Sequence, residues 1–359
     1  MPSTTATTAT TATPVVARRL HTSIVDATEL PRIIRLTGNL YAAAFILMKL
    51  LPARYILDRA QAAGRLAPGT PVLETSSGTF GLGLALVCRL RGYPLTIVGD
   101  AAIDTELKTR LEMLGARVEI VAENGHPGGI QGARLDRVKE LHREQPTAFI
   151  PDQYDNPDNG RAYEIVADLV LDTIGRVDCV VGPVGSGGST GGLAAALRTA
   201  RRSTRVIGVD THGSTIFGHR NAPRLLRGLG SSIHPGNVDY SAYDEVHWVT
   251  AGEAFRGTHA LYRDHALFMG PTSGASYLAG GWWAHRHPGD KVLLILPDEG
   301  HRYQKTVYSS EWLSSQGIDM TQRRGEPALV THPLDAPPRW SRLLWGRRGY
   351  EEVTGQEKP

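Results

Sequence analysis

A glycine-rich segment at residues 182–192, Gly-Pro-Val-Gly-Ser-Gly-Gly-Ser-Thr-Gly-Gly, has the residue types that bind an anion. An apolar run ending at Val181 precedes this segment, and small residues typical of a helix follow at 193–200. Backbone N–H groups in such a turn can approach a phosphate closely, and the start of the helix adds partial positive charge. Ser186, Ser189 and Thr190 add hydroxyl donors. The segment therefore predicts a site for a phosphorylated small molecule.

The spacing of the glycines narrows the choice of phosphate ligand. A P-loop requires Gly-Lys-Ser/Thr, and no lysine follows the glycines here. Gly185, Gly187 and Gly191 leave one residue too many for the G-x-G-x-x-G dinucleotide pattern. Asp210, which ends the next apolar run, nevertheless stands where a ribose-binding carboxylate would be expected. A nicotinamide site and a turn that binds nothing thus stay open as alternatives.

Lys49 has the most apolar surroundings of the six lysines. It lies in Tyr-Ala-Ala-Ala-Phe-Ile-Leu-Met-Lys-Leu-Leu-Pro, residues 41–52, and Asp58 is the nearest carboxylate in the sequence. Removal from water lowers the pKa of a lysine, and a partly neutral amine is the form that condenses with an aldehyde. The alternative is a lysine at the edge of an apolar element whose charged end reaches into water and has no catalytic role. Together with the phosphate loop, Lys49 predicts pyridoxal 5'-phosphate as the cofactor.

Several further segments occur in a fixed order along the chain. Besides the surroundings of Lys49, they are Leu-Pro-Arg-Ile-Ile-Arg-Leu (30–36), Glu-Thr-Ser-Ser-Gly-Thr-Phe-Gly (74–81), Gln-Tyr-Asp-Asn-Pro (153–157), Gly-Pro-Thr-Ser-Gly-Ala (270–275) and Leu-Pro-Asp-Glu-Gly-His-Arg-Tyr (296–303). From about Leu30 to Leu313 the chain resembles the fold-type II pyridoxal-phosphate enzymes, in particular the cysteine synthase and cystathionine β-synthase family. Six matching segments in one order are a strong signal, whereas any single one would be weak.

The resemblance implies a role for each matching residue. Lys49 would form an imine with the cofactor and then remove the Cα proton of the substrate. Thr272 would meet the pyridine nitrogen, and Thr79 stands where the family has an asparagine beside the cofactor's 3'-oxygen. The implied phosphate ligands are Gly185, Ser186, Gly187, Gly188 and Ser189. The implied ligands of the substrate carboxylate are Ser76, Ser77, Gly78, Thr79 and Gln153.

The expected reaction is replacement of the β-substituent of a serine- or cysteine-derived amino acid, through an α-aminoacrylate. Thr79 in place of asparagine, and the apolar Leu47, Leu50 and Leu51 around the lysine, predict a reshaped pocket and a small nucleophile other than, or in addition to, sulfide. A lyase or dehydratase that only eliminates the β-substituent is the main alternative. A non-catalytic ligand-binding relative and a nicotinamide enzyme complete the hypotheses.

Apolar runs that alternate with helical patterns predict an α/β protein with parallel sheets and helices on both faces. The runs lie at 71–74, 95–98, 117–121, 148–151, 178–181, 205–209 and 291–296. By the resemblance, we expect two lobes: a small mobile lobe at 40–155, and a large cofactor-binding lobe formed by 20–39 and 156–315. We expect residues 1–19 to be a disordered tail, and the C-terminal extension, 316–359, to wrap the surface or stay loose.

Composition limits the partners and the compartment. A formal charge of +3 in 359 residues gives no reason to expect nucleic acid. The sequence has neither a membrane-spanning apolar run nor a cysteine and histidine cluster spaced for a metal. Cys88 and Cys179 lie in apolar segments, as reduced core thiols do. We therefore expect a cytoplasmic enzyme, by the resemblance a homodimer, whose partners are an amino-acid substrate and a nucleophile.

Overall fold

Two β-sheets of unequal size organise the chain. The computed structural model describes residues 20–358 except 123–124, 227 and 323–324. The predicted N-terminal tail, 1–19, lies outside the described residues.

The strands are β1 (Arg32–Arg35), β2 (Leu40–Ala44), β3 (Val72–Thr75), β4 (Leu95–Gly99), β5 (Arg117–Ile120), β6 (Cys179–Pro183), β7 (Arg205–Thr211), β8 (Glu245–Val249), β9 (Val292–Leu296), β10 (Ala328–Val330) and β11 (Ser341–Leu343). The helices are α1 (Ile24–Thr28), α2 (Leu50–Ala62), α3 (Thr79–Arg91), α4 (Thr105–Met113), α5 (Gly129–Glu144), α6 (Asp158–Arg161), α7 (Glu164–Ile174), α8 (Gly188–Ala200), α9 (Ala251–His265), α10 (Pro271–Arg286), α11 (Ser310–Ser315) and α12 (Tyr350–Thr354). Three short 3-10 turns lie at Tyr240–Ala242, Gly300–Tyr303 and Pro333–Asp335.

The larger sheet has eight strands in the order β1-β2-β9-β6-β7-β8-β11-β10. Its centre, from β2 through β9, β6 and β7 to β8, is parallel. β1 and β11 pair antiparallel with β2 and β8. The five residues of β9 are all apolar and buried, as expected for a central parallel strand that is covered on both faces. The carboxyl ends of these strands lie on one edge, where a ligand of an open α/β sheet binds.

The smaller sheet consists of β3, β4 and β5, all parallel. Helices α2, α3, α4 and α5 surround it and form the smaller lobe. The predicted boundary at residue 40 differs from sheet membership, because β2 pairs with β9 in the larger sheet. By sheet membership, the chain therefore enters the smaller lobe after β2.

Lys49 lies where two hydrophobic cores meet. Leu47 and Leu50 pack in the core beneath the smaller sheet. Met48 and Leu51 pack in a second core, formed with α7 and β9 of the larger lobe. The apolar residues around the lysine are therefore explained by packing, since they fasten its segment to both lobes.

The C-terminal extension is part of the larger lobe. β11 pairs with β8, and β10 pairs with β11 at the edge of the sheet. The indole rings of Trp340 and Trp345 are buried. The prediction that this segment wraps the surface or stays loose is therefore wrong for the residues from β10 to α12. The predicted strand at 148–151 is also absent, because Phe149 makes only an isolated bridge to Val72.

Of the helices that the structure describes, none has the length and apolar character needed to cross a membrane. Cys88 and Cys179 are buried free thiols, as predicted. Burial raises the pKa of the Cys88 thiol to about 12.

Candidate active site

Lys49 extends from the start of α2 to the glycine-rich turn of the other lobe. Its amine nitrogen, Nζ, lies 3.1 Å from the hydroxyl oxygen of Ser186. Burial lowers the pKa of Lys49 from 10.5 to about 8. A substantial fraction of neutral amine is therefore present near pH 8, which is the form that attacks an aldehyde.

The glycine-rich turn between β6 and α8 can be built only from glycine at two positions. Gly187 has a φ of +85°, and a Cβ at this position would lie 2.6 Å from the carbonyl oxygen of Asn237. A Cβ on Gly188 would lie 2.5 Å from the side chain of Asn159. The absence of a Cβ at these two positions lets Asn237 and Asn159 pack directly against the turn, at the end of α8 where the first backbone N–H groups have no partner within the helix. Such N–H groups are the donors that a phosphate requires.

Two of the turn's hydroxyl groups have different roles. Ser186 accepts hydrogen bonds from Lys49 and from the amide of Asn159, so its position is fixed at the lysine. Thr190 instead donates to the carbonyl oxygen of Pro183 at 2.7 Å. Its hydroxyl therefore closes the turn, although the sequence suggested it as a ligand donor.

Asn159, which sequence reasoning missed, connects the glycine-rich turn to the Gln153 segment. Its side chain is fully buried, and its amide nitrogen donates to the carbonyl oxygen of Gln153 at 2.6 Å and to Ser186 at 3.3 Å. Because a carbonyl can only accept, the nitrogen must face Gln153, and the amide orientation is fixed. The amide oxygen has no hydrogen-bond partner among the described residues. The only signal in the sequence was its place two residues after the matched Asn156-Pro157 pair.

The predicted substrate loop, 76–79, lies between β3 and α3. The Ser76 hydroxyl accepts from the N–H groups of Gly81 at 2.9 Å and Gly78 at 3.3 Å, so it shapes the loop. Ser77, Gly78 and the first residue of α3, Thr79, are partly exposed. The N-terminus of a 13-residue helix thus lies beside accessible backbone and hydroxyl groups. This arrangement is suited to hold a carboxylate.

A buried ion pair supports the substrate loop from behind. Arg134 of α5 pairs with Asp100 at 2.9 Å, and its side chain is 5 % exposed. The same guanidinium donates to the Ser77 hydroxyl and, at 3.1 Å, to the Tyr154 hydroxyl. Removing Arg134 would leave Asp100 as an uncompensated buried charge, which is strongly destabilising.

Gln153 and Thr272 approach the same region from different elements. The Gln153 amide donates to the carbonyl oxygen of Thr75 at 2.6 Å, which leaves its second N–H for another acceptor. Thr272 is buried in the first turn of α10. A Cβ on Gly228 would lie 3.4 Å from the Thr272 methyl group, and a Cβ on Gly185 would lie 3.6 Å from the Gly228 carbonyl. Gly228 thus lies close to both Thr272 and the glycine-rich turn.

Asp298 and Arg302, which carried no role at the sequence level, border the site. Burial raises the pKa of Asp298 to about 6, and its carboxylate accepts from the Tyr303 hydroxyl at 2.7 Å. Asp298 also bridges to Leu47, next to the lysine segment. Arg302 crosses to the smaller lobe, where it pairs with Asp104 at 2.9 Å.

Most of the predicted site residues are thus connected. Hydrogen bonds run from Lys49 to Ser186, from Asn159 to both Ser186 and Gln153, and from Gln153 to Thr75, the residue before the substrate loop. Ser189 lies in the first turn of α8, and Thr79 makes no side-chain hydrogen bond to the part of the chain that the structure describes. The turn, the lysine and the Thr272 hydroxyl offer the donors that a phosphorylated pyridine aldehyde requires. Asp210 is fully buried and binds the N–H of Thr211, so it is not available to a ribose.

These features define a class: a two-lobed α/β enzyme in which a lysine of one lobe faces a glycine-rich anion site of the other. Residues 48–298 match the family described as pyridoxal-phosphate dependent enzymes, and the chain belongs to this family. The nicotinamide alternative is therefore set aside.

The matches extend over nearly the whole chain. It is 34% identical to N-(2-amino-2-carboxyethyl)-L-glutamate synthase of Ralstonia nicotianae over 331 residues, covering 88% of this chain and 97% of the relative. The synthase of the same name from Cupriavidus metallidurans is 34% identical over 337 residues, with 88% and 96% covered.

Solved structures agree with this assignment. O-acetylserine dependent cystathionine beta-synthase from Helicobacter pylori has a TM-score of 0.75 and 27% identity, covering 81% of this chain and all of that one. O-ureido-L-serine synthase has a TM-score of 0.73 and 26% identity, covering 82% of this chain and all of that one. The predicted family, fold class and cysteine synthase type of enzyme are confirmed.

Proposed function

We propose that this enzyme replaces the β-substituent of a serine-derived amino acid with the amine of a second amino acid, and that the second amino acid is glutamate. The match to two synthases of N-(2-amino-2-carboxyethyl)-L-glutamate along nearly their whole length carries this proposal. That name describes an alanine unit joined through its β-carbon to the nitrogen of glutamate. Making it requires a new C–N bond at the β-carbon, which is the amine case of the predicted reaction.

The residues divide the work between the two lobes. Pyridoxal phosphate, when bound, withdraws electrons from the Cα of the donor amino acid. Lys49 would take the Cα proton once its amine is free, and the lowering of its pKa to about 8 favours the neutral, basic form of the amine near pH 8. Gly185, Ser186, Gly187, Gly188 and Ser189 would hold the phosphate, and Thr272 the pyridine nitrogen. Ser76, Ser77, Gly78, Thr79 and Gln153 would hold the donor's carboxylate.

The bond changes balance without a further reactant. The Cα–H bond breaks and its proton passes to Lys49. The bond from the β-carbon to the leaving group then breaks, and the leaving group departs with its electron pair. The lone pair of the incoming amine forms the new bond to the β-carbon, the amine loses a proton, and a proton returns to Cα. Water must be kept from the site between the two halves of the reaction, which lobe closure would achieve.

The test is a product analysis with the purified, cofactor-loaded enzyme. O-acetylserine, O-phosphoserine, serine and cysteine are offered as donors, each with ¹⁵N-glutamate, other amino acids or sulfide. We expect a conjugate that retains the ¹⁵N label and has the mass of glutamate plus a dehydroalanine unit. Lys49→Ala serves as the inactive control. Cysteine formed from sulfide alone would overturn the choice of nucleophile, and pyruvate with every nucleophile would establish elimination instead.

We also propose that the enzyme acts as a cytoplasmic homodimer and that its smaller lobe, predicted at 40–155, moves against the larger one while β2 stays in the larger sheet. The resemblance to cysteine synthase supports this proposal. Light scattering of the purified protein measures the oligomeric state, and small-angle scattering with and without donor measures closure.

A further inference from the structure

Glu74 is a buried acid for which the proposed reaction has no use. It precedes the substrate loop in β3, and only 1% of it is exposed. Its carboxyl group accepts from the N–H of Thr75 at 2.7 Å and from the N–H of Gln153 at 3.2 Å. The side chain therefore spans two segments that are 79 residues apart in the sequence.

The Gln153 side chain in turn contacts β3, the strand that contains Glu74. Its side-chain amide donates to the carbonyl oxygen of Thr75 at 2.6 Å. Glu74 and Gln153 thus exchange side-chain to backbone hydrogen bonds in both directions, each holding the segment of the other. The N–H groups of Thr75 and Gln153 belong to buried residues, so loss of the Glu74 carboxyl group would leave them without an acceptor.

These side-chain hydrogen bonds lie just beyond the point where backbone pairing between β3 and the segment at residue 149 ends. The backbone of residue 149 pairs with β3, through hydrogen bonds of 2.8 Å to Pro71 and 2.9 Å from Leu73. Pro151 has no N–H to continue the ladder, and Asp152 has a left-handed φ of 57°. The segment that carries Gln153 therefore leaves the strand, and the Glu74 carboxyl group is what holds it there.

We propose that Glu74 is a positioning residue that fixes Gln153 against the substrate loop, so that the carboxylate of the donor amino acid is held from both sides. This inference rests on the proposed function, since it assumes a serine-derived donor. Glu74 itself would touch neither substrate nor cofactor. It acts through the orientation of the Gln153 amide, whose second N–H is left for the donor.

The charge state of Glu74 agrees with this role. Burial raises the pKa of its carboxyl group to about 8, Asp152 adds to the effect, and the backbone N–H groups oppose it. At neutral pH the carboxyl group is mostly uncharged, so it does not repel a donor carboxylate nearby.

The experiment measures donor binding in the cofactor-loaded enzyme from the change in the cofactor's absorbance as donor is added. Glu74→Ala removes the acceptor, Glu74→Gln keeps one acceptor oxygen, and Gln153→Ala removes the amide. Glu245→Ala is the matched control, because Glu245 is also a 1% exposed glutamate in a strand, at the far side of the larger sheet. Cofactor content and melting temperature are measured for each variant.

We expect Glu74→Ala to raise the donor concentration for half-saturation about ten- to hundredfold, with cofactor content unchanged. Glu74→Gln should raise it less, and it keeps the test possible if Glu74→Ala does not fold. Glu245→Ala should lower the melting temperature and leave donor half-saturation as in the unmodified enzyme. In the double variant Glu74→Ala, Gln153→Ala, the donor concentration for half-saturation should rise by less than the product of the two single-variant increases, because both substitutions act through one amide.

Unchanged donor half-saturation in the Glu74 variants would overturn the inference, as would full multiplication of the two effects. A change that Glu245→Ala reproduces would also overturn it, since it would reflect general destabilisation. Failure of the unmodified enzyme to respond to any serine-derived donor would instead overturn the proposed function itself, and is seen before any variant is compared.

Discussion

Asn159 offers the sharpest test of how the two lobes share the cofactor site. Replacing it with alanine removes two hydrogen bonds, at 2.6 Å and 3.3 Å. Neither acceptor is left unpaired, because Asn237 still donates to the Gln153 carbonyl at 3.1 Å and Lys49 to Ser186 at 3.1 Å. The expected cost is therefore about 2 kcal/mol of stability, about 1 kcal/mol for each bond, with cofactor affinity only a few-fold weaker.

Asn159→Asp should have a much larger effect on the cofactor. The substitution puts a carboxylate oxygen against the Gln153 carbonyl and a negative charge next to Ser186. With the phosphate bound by Ser186, two like charges would lie two hydrogen bonds apart, about 6 Å. At an effective dielectric of about 20 this repulsion is about 3 kcal/mol for each unit of phosphate charge, or about a hundredfold in affinity. Protonation of the new carboxyl group should relieve it, so the loss should be smaller at pH 5.5 than at pH 8.

The assay is titration of the apoenzyme with pyridoxal phosphate, followed by absorbance. Asn237→Asp is the matched control, because it places the same carboxylate at the Gln153 carbonyl, while Asn237 makes no side-chain hydrogen bond to Ser186 within the described ranges. Equal cofactor affinity in Asn159→Asp and Asn237→Asp would show that the effect does not pass through the glycine-rich turn, contrary to this prediction.

Two further predictions concern charged groups at the lobe boundary. Borohydride should fix the cofactor on Lys49, and label on Lys108 in peptide mapping would contradict this assignment. The rate of cofactor uptake by the apoenzyme should rise as pH passes through about 8 rather than 10.5, because burial lowers the pKa of the Lys49 amine. Arg302→Gln removes the 2.9 Å ion pair with Asp104 across the lobes, so small-angle scattering should show less lobe closure when donor is added. Lys305→Gln is the control and should change closure less, because Lys305 and its partner Glu106 are both exposed. Identical scattering profiles for the two variants would count against a role for Arg302 in closure.

Much of the fold and the centre of the site could be predicted from the sequence, because local patterns report burial and turn geometry. The apolar setting of Lys49 and the glycines at 185–188 are properties of short segments, and each required a specific residue type. Central strands such as β9 are continuous apolar runs, since both of their faces are covered. β8 escaped prediction because it contains Glu245 and His247, which are buried and pair with each other at 2.9 Å.

Residue types and their local order were enough to indicate the kind of chemistry: an amine in apolar surroundings, a turn for a phosphate, and an alternation of strands and helices. Which groups meet depended on the fold, because hydrogen-bond partners are set by topology and not by spacing along the chain. Lys49 and Ser186 are 137 residues apart, and their contact depends on how the lobes pack. Asn159 and Glu74 look like ordinary polar residues in the sequence. Their roles arise because burial removes water as a partner, so each must be satisfied by a segment that the fold brings to it.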